Sequence, residues 1–95
     1  MHKIKVTDIQ IIPIVPKDGL VGFASIVLNN LLYLSSIGIY TRLEGGFRLT
    51  YPTKKVEIKN INIFYPISKE FAAYLEISVT KKFEEVIKAR LYANE

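Results

Sequence analysis

The sequence contains no cysteine and no tryptophan, and it has a single histidine, His2. Without cysteine there is neither a disulfide framework nor a thiolate metal site, and one histidine with scattered carboxylates makes no metal-binding constellation. No segment approaches the ~18 consecutive apolar residues of a membrane span. The lack of cysteine fits a reducing compartment, so we expect a cytoplasmic protein that binds no membrane, metal or other cofactor.

Catalytic signatures are absent as well. Glu84 and Glu85 are neighbours, and on a helix they point about 100° apart, so they are not a paired acid and base. The segment Glu44-Gly45-Gly46 lacks the Lys-Ser/Thr that completes a phosphate-binding loop. His2 lies at a terminus, where chains are poorly ordered. We therefore predict that the protein is not an enzyme and has no small-molecule substrate.

The composition of the 95 residues fits one small domain, residues 1–95, because 49% of them are hydrophobic and can form a core. Such a small domain buries a modest share of its surface, so association with a second copy would stabilise it. The 13 basic and 9 acidic residues give a net charge of +4. This mild excess permits an anionic partner such as nucleic acid but does not demand one.

A hairpin is the clearest structural feature of the sequence. Apolar residues flank Glu44-Gly45-Gly46 on both sides, and glycine supplies the positive φ that a tight hairpin needs. We predict antiparallel strands over Leu34–Tyr40 and Gly46–Tyr51, with Tyr40 and Phe47 as cross-strand partners. Pro52 lacks a ladder donor and ends the second strand.

Two further strands are predicted before this hairpin, over Ile4–Ile14 and Leu20–Leu28, and the first strand of the hairpin lies in the apolar run Leu31–Tyr40. Lys17-Asp18-Gly19 and Asn29-Asn30 are the turns between them. Two positions carry signs of a bulge. At Thr7-Asp8 the apolar residues switch from even to odd positions. Either a bulge there keeps them on one face of the strand, or both faces are partly buried. Ser35-Ser36 is the other position.

The C-terminal third is predicted to hold a helix. Lys54–Asn60 reads as a polar connection, and Ile61–Tyr65 as a fifth short strand that Pro66 ends. Ser68 is the predicted N-cap. The apolar residues that follow form one helical stripe; they are Phe71, Leu75, Val79, Phe83, Val86, Ile87 and Leu91. Two alternatives stay open, a continuous helix or two helices with Thr80 as the N-cap of the second. The second alternative arises because the β-branched residues before Thr80 form helix poorly.

These elements predict an α+β fold: an antiparallel β-meander of four to five strands with the C-terminal helix packed on the sheet. The sheet is more apolar than one helix can cover, and its exposed edge invites pairing. We therefore predict a homodimer, formed by edge pairing or by exchange of the C-terminal helix.

Basic residues are the candidates for binding. They follow the hairpin or lie on the helix, and they are Lys54, Lys55, Lys59, Lys81, Lys82, Lys88 and Arg90. Two interpretations stay open on charge alone: a solvated surface that keeps the protein soluble, or a surface that contacts phosphates.

The order of several short motifs resembles the SpoVG family, the small bacterial septation and sporulation regulators. Ile37-Gly38-Ile39, the glycine turn, Phe47 and Tyr51-Pro52-Thr53-Lys54-Lys55 resemble the family's Ile-Arg-Ile, turn, Phe and Met-Pro-Ser-Arg/Lys-Lys. Val6-Thr7-Asp8-Ile9 resembles its opening Val-Thr-Asp-Val, and Tyr65-Pro66-Ile67 its Pro-Ile pair. The resemblance covers about residues 6–92.

This resemblance implies a small dimeric regulator that binds DNA or RNA. It places Lys54 and Lys55 at the family's basic pair, and Lys81-Lys82 near a basic residue at the start of the family's helix. The sequence departs from the pattern at Gly38 in place of arginine, at Tyr51 in place of methionine, and by additional residues around 70–78. The alternative is therefore a non-enzymatic protein-interaction or structural module that keeps the fold without binding nucleic acid.

Overall fold

Two antiparallel sheets precede one helix in the structure, a computed structural model that describes residues 3–93. The elements are β1 (Val6–Lys17), β2 (Leu20–Leu28), β3 (Leu32–Thr41), β4 (Phe47–Thr50), β5 (Thr53–Val56), β6 (Lys59–Asn62) and α1 (Lys69–Ala93). The main sheet has the order β1-β2-β3-β4, and β5 pairs only with β6. The predicted α+β class and four-stranded meander are confirmed. His2 lies outside the described residues.

Tight turns produce the meander. Asp18-Gly19 and Asn29-Asn30 connect the first three strands, and all four residues have positive φ, between 50° and 89°. Tight hairpin turns require this positive φ. Between β3 and β4, Gly45 and Gly46 take φ of 98° and 79°. The sequence predicted these three turns correctly.

Both predicted bulges are present. Val6 pairs with Leu28 and Asp8 with Val27, so Thr7 is the additional residue in β1. It brings Val6 onto the side of the sheet that packs against the core. In β3, Ser35 and Ser36 lie together opposite Ser25, and Ser36 has a φ of 65°. An inserted residue flips the following side chains, so each bulge keeps the apolar residues on one face.

The core lies between α1 and one face of the main sheet. Ile26, Ile37, Ile39 and Val79 are fully buried, and Leu75 and Phe83 continue the helix stripe beside them. The helix approaches closely at Gly22, where an added Cβ would lie 3.2 Å from the Phe83 ring. At the other end of the stripe Leu91 is 66% exposed, so the stripe is buried only in its first part.

The helix begins at its predicted cap and runs without interruption. The backbone N–H of Phe71 donates to Ser68 Oγ at 3.1 Å. Thr80 does not cap a second helix; it lies inside α1, and its hydroxyl is buried without a hydrogen-bond partner among the described residues. Burial of Val79 against the sheet outweighs the weak helix propensity of this segment, because tertiary packing supplies most helical stability.

The predictions for residues 54–65 were wrong. Lys54–Asn60 is not a connection: Glu57, with a φ of 57°, and Ile58 form a turn that folds β5 back on β6. Ile61–Tyr65 is not a strand of the main sheet, because β6 ends at Asn62 and pairs with β5. The backbone N–H of Ile63 donates to the Pro52 carbonyl at 2.9 Å and closes this hairpin at its base.

Candidate nucleic-acid interface

Three of the seven candidate cations share the β5–β6 hairpin. Lys54 and Lys55 lie on β5 and Lys59 lies on β6. Every strand residue of the hairpin is exposed, whichever face it occupies. The lysine side chains therefore meet solvent directly, and a bound phosphate could reach them without any change in the fold.

The register assigns these lysines to two faces. Lys54 pairs with Ile61, and Val56 with Lys59; directly opposed residues share a face of a sheet. Lys54 and Lys59 therefore lie on one face, one on each strand. Because successive side chains alternate, Lys55 lies on the other face, opposite Asn60. The sequence shows that the three lysines are close together along the chain. It could not assign them to the faces of a hairpin, because the turn at Glu57-Ile58 was not predicted.

Positive charge is dense in this hairpin. Residues 53–62 contain three lysines against the single carboxylate of Glu57. Within residues 3–93 the ion pair that forms joins Arg42 to Glu76, outside the hairpin. The three lysines are thus not neutralised by a carboxylate of the described chain. A concentration of unpaired cations on an exposed element attracts polyanions and steers their approach.

The other four candidates lie along α1, apart from the hairpin. Lys81 and Lys88 are exposed and seven residues apart, so they share a face of the helix. Lys82 is half-buried and borders a shallow groove with Val6, Ile9 and Glu85. Arg90 is exposed near the helix end. Glu84 and Glu85 lie among these cations, so residues 81–90 carry the same net charge of +2 as residues 53–62 but with two carboxylates interspersed. The structure does not unite all seven in one patch.

One cation that the sequence did not single out lies on the open face of the sheet, the face opposite α1. Tyr40 pairs with Arg48, and the Arg48 guanidinium lies 4.7 Å from the centre of the Tyr40 ring. Tyr40 and Phe47 are not cross-strand partners, because Phe47 pairs with Thr41 and packs on Phe83 instead. Only the register shows this pairing; no local motif indicates it.

The open face also carries apolar side chains. Ile12 is 65% exposed, Tyr33 62% and Phe23 37%. They border a groove of about 370 Å³ together with Gln10 and serine side chains of β2 and β3. Within residues 3–93 the helix packs on the opposite face, and the side chains of this face are exposed to solvent.

Metal sites and membrane-spanning helices are both absent from the described residues. Among residues 3–93, no three His, Asp or Glu side chains lie close enough together to hold a metal ion. No helix within the described chain is long and apolar enough to cross a membrane.

Comparison with known proteins gives one family. No curated protein matches the sequence. The family model SpoVG matches residues 4–85, from just before β1 to the middle of α1, and this range contains the hairpin and the first two helix cations. The match supports a SpoVG-like regulatory protein. Because it spans most of the 95 residues, the chain belongs to the SpoVG family.

Proposed function

We propose that the protein is a homodimeric regulatory protein of the cytoplasm that binds nucleic acid through the β5–β6 hairpin and performs no catalysis. The observation that carries the proposal is the cluster of Lys54, Lys55 and Lys59, exposed and free of ion pairs on one small element. Lysine acts as a point charge toward phosphate, and such contacts supply most sequence-independent affinity. The cations of α1 contribute as a secondary surface.

The open face of the sheet supports the homodimer. Exposed Ile12 and Tyr33 leave an apolar surface that a second copy would remove from water. Two copies present two hairpins, which doubles the number of phosphate contacts. Light scattering at micromolar concentration is expected to give twice the chain mass of 10.9 kDa. A mass equal to one chain would rule out the dimer.

Removal of the hairpin charge tests the binding site. Changing Lys54 and Lys59 to Ala is expected to weaken binding at low salt by at least about tenfold, because each lost phosphate contact returns a counterion to the nucleic acid. The measurement is an anisotropy titration with labelled duplex DNA and with single-stranded RNA. The matched control changes Lys5 and Lys69 to Ala, both exposed and outside the hairpin, and removes the same charge.

The outcomes separate the two candidate functions. Weak binding by the hairpin variant, with near-normal binding by the Lys5 and Lys69 control, supports the proposal. Equal losses in both variants would indicate a general charge effect and contradict a site at the hairpin. If the unaltered protein binds neither nucleic acid more tightly than tens of micromolar at low salt, the protein-interaction module replaces the proposal.

A further inference from the structure

The β5–β6 hairpin has one face made entirely of hydrogen-bonding side chains. Thr53 pairs with Asn62, and Lys55 pairs with Asn60. Directly opposed residues share a face, so these four side chains form one surface, here called the polar face. The other face alternates Lys54 and Lys59 with Val56 and Ile61. This division follows from the register and is independent of the total charge.

No part of the described chain covers either face of this hairpin, since all the strand residues are exposed. A two-stranded hairpin on its own is marginally stable in water. A partner that packs on it would therefore also order it. The three lysines and single glutamate of residues 53–62 favour an anionic partner.

The dimensions of the hairpin fit the major groove of duplex DNA. Its strands lie about 4.8 Å apart, and the major groove, about 12 Å wide, admits a two-stranded ribbon. With the polar face toward the floor of the groove, Lys54 and Lys59 lie on opposite strands. Each strand then runs beside one wall of the groove, and each lysine can reach the phosphates of that wall.

The side chains of the polar face match the groove floor chemically. Asparagine donates to N7 and accepts from the N6 amino group of adenine, lysine donates to O6 and N7 of guanine, and threonine serves either base. A surface that only neutralised phosphates would not need two asparagines facing a lysine and a threonine.

We infer that the β5–β6 hairpin enters the major groove of duplex DNA, where Asn60, Asn62 and Lys55 bind purine edges and confer sequence preference. This inference rests on the proposed nucleic-acid binding and goes beyond it. Phosphate contacts position a protein, whereas contacts with base edges specify its site. The protein therefore has a preferred duplex sequence rich in purines on the contacted strand.

The test begins with selection of duplex sites from a random DNA library by the full-length protein. The preference is the affinity for the selected duplex divided by the affinity for a random duplex. Changing Asn60 and Asn62 to Ala is expected to lower this preference by about tenfold or more, with affinity for random duplex within about twofold. The matched control changes Val56 and Ile61, on the opposite face, to Thr and is expected to keep the preference.

A second arm alters the DNA and so does not depend on how the variants fold. Replacing the purines of the selected site with 7-deazapurines removes the N7 acceptors from the major groove and preserves base pairing. The unaltered protein is expected to lose about tenfold or more in affinity, and the Asn60 and Asn62 variant to lose less, because for that variant only the Lys55 contact with guanine N7 remains to be removed.

Three results overturn the inference. The first is unchanged affinity of the unaltered protein for the 7-deazapurine duplex. The second is an equal loss of preference in the variants of both faces. The third is failure to enrich any duplex site from the library, although the protein binds single-stranded RNA in the anisotropy titration. In each of these cases nucleic-acid binding itself still stands, whereas failure to bind any nucleic acid at low salt removes the proposed function as well.

Discussion

Gly38 occupies a position on the open face where no larger residue fits the present arrangement. A Cβ built there would lie 2.5 Å from Thr50 Oγ1 and 3.3 Å from Cε2 of the Tyr40 ring. That ring in turn carries the Arg48 guanidinium. The SpoVG-like pattern that the sequence resembles has arginine at this position. Here the cation of the open face comes instead from the neighbouring strand, and the space beside Gly38 is filled by Tyr40.

Substitution of Gly38 tests this packing. Gly38→Ala is expected to lower the free energy of unfolding by about 1–2 kcal/mol, because overpacking forces the Thr50 and Tyr40 side chains to shift. Urea denaturation measures the change. In a Thr50→Ala background, which removes the nearest atom, the loss is expected to be smaller, and a double-mutant cycle gives the coupling. Equal losses in both backgrounds would show that Thr50 is not the obstacle.

Tyr51 gives a prediction on pH. The ring is half-buried and packs on the edge of Phe64. Burial, and next the negative charge of Glu76, raise the pKa of Tyr51 to about 12. The folded state therefore holds the phenol proton more tightly than the unfolded state, whose pKa is about 10. Stability from this group is complete below pH ~10 and is lost as the pH rises toward 12.

Tyr51→Phe isolates this contribution, since it keeps the ring and removes the ionisable group. The difference in unfolding free energy between the two proteins is expected to be constant below pH ~10. It then shifts in favour of the variant toward pH 12. Urea denaturation at a series of pH values gives the comparison. A constant difference across the whole range would show that the pKa of Tyr51 is not raised in the folded state.

At the scale of elements, the turns determine how much can be predicted from sequence. Asp18-Gly19, Asn29-Asn30 and Gly45-Gly46 contain the residue types that tolerate positive φ, and the strands beside them were predicted within a few residues. Glu57-Ile58 carries no such signal, although Glu57 adopts a φ of 57°. Without that turn, the alternation of Ile61, Ile63 and Tyr65 suggested one strand where the chain folds back as a hairpin.

The start of α1 gives a prediction for a single hydrogen bond. Ser68→Ala is expected to lower the free energy of unfolding by about 1 kcal/mol, because the Phe71 backbone N–H loses its acceptor. Ser68→Asp serves as the control, since its carboxylate can accept the same hydrogen bond and complements the helix dipole. Thermal or urea denaturation compares the three proteins. A loss in the aspartate variant equal to that in the alanine variant would exclude the cap as the cause.

At the scale of the whole molecule, the helix covers one face of the main sheet and leaves the other face and the hairpin exposed. The lysines of the candidate site could be named from the sequence, because basic residues after a strand end are exposed. The division of these lysines between the two faces of the hairpin could not be predicted, because it depends on the turn at Glu57-Ile58. The position of Arg48 over the Tyr40 ring could not be predicted either, because it depends on the pairing of β3 with β4.

The salt dependence of binding tests the central claim, that the lysines of the hairpin neutralise phosphates. The logarithm of the association constant for duplex DNA is measured against the logarithm of the salt concentration, with a slope of about −0.9 per neutralised phosphate. A dimer carries Lys54 and Lys59 twice. Their replacement by Ala is therefore expected to flatten the slope by about 3.6, whereas the Lys5 and Lys69 control keeps the slope of the unaltered protein. Parallel lines for the unaltered protein and the hairpin variant would contradict the account.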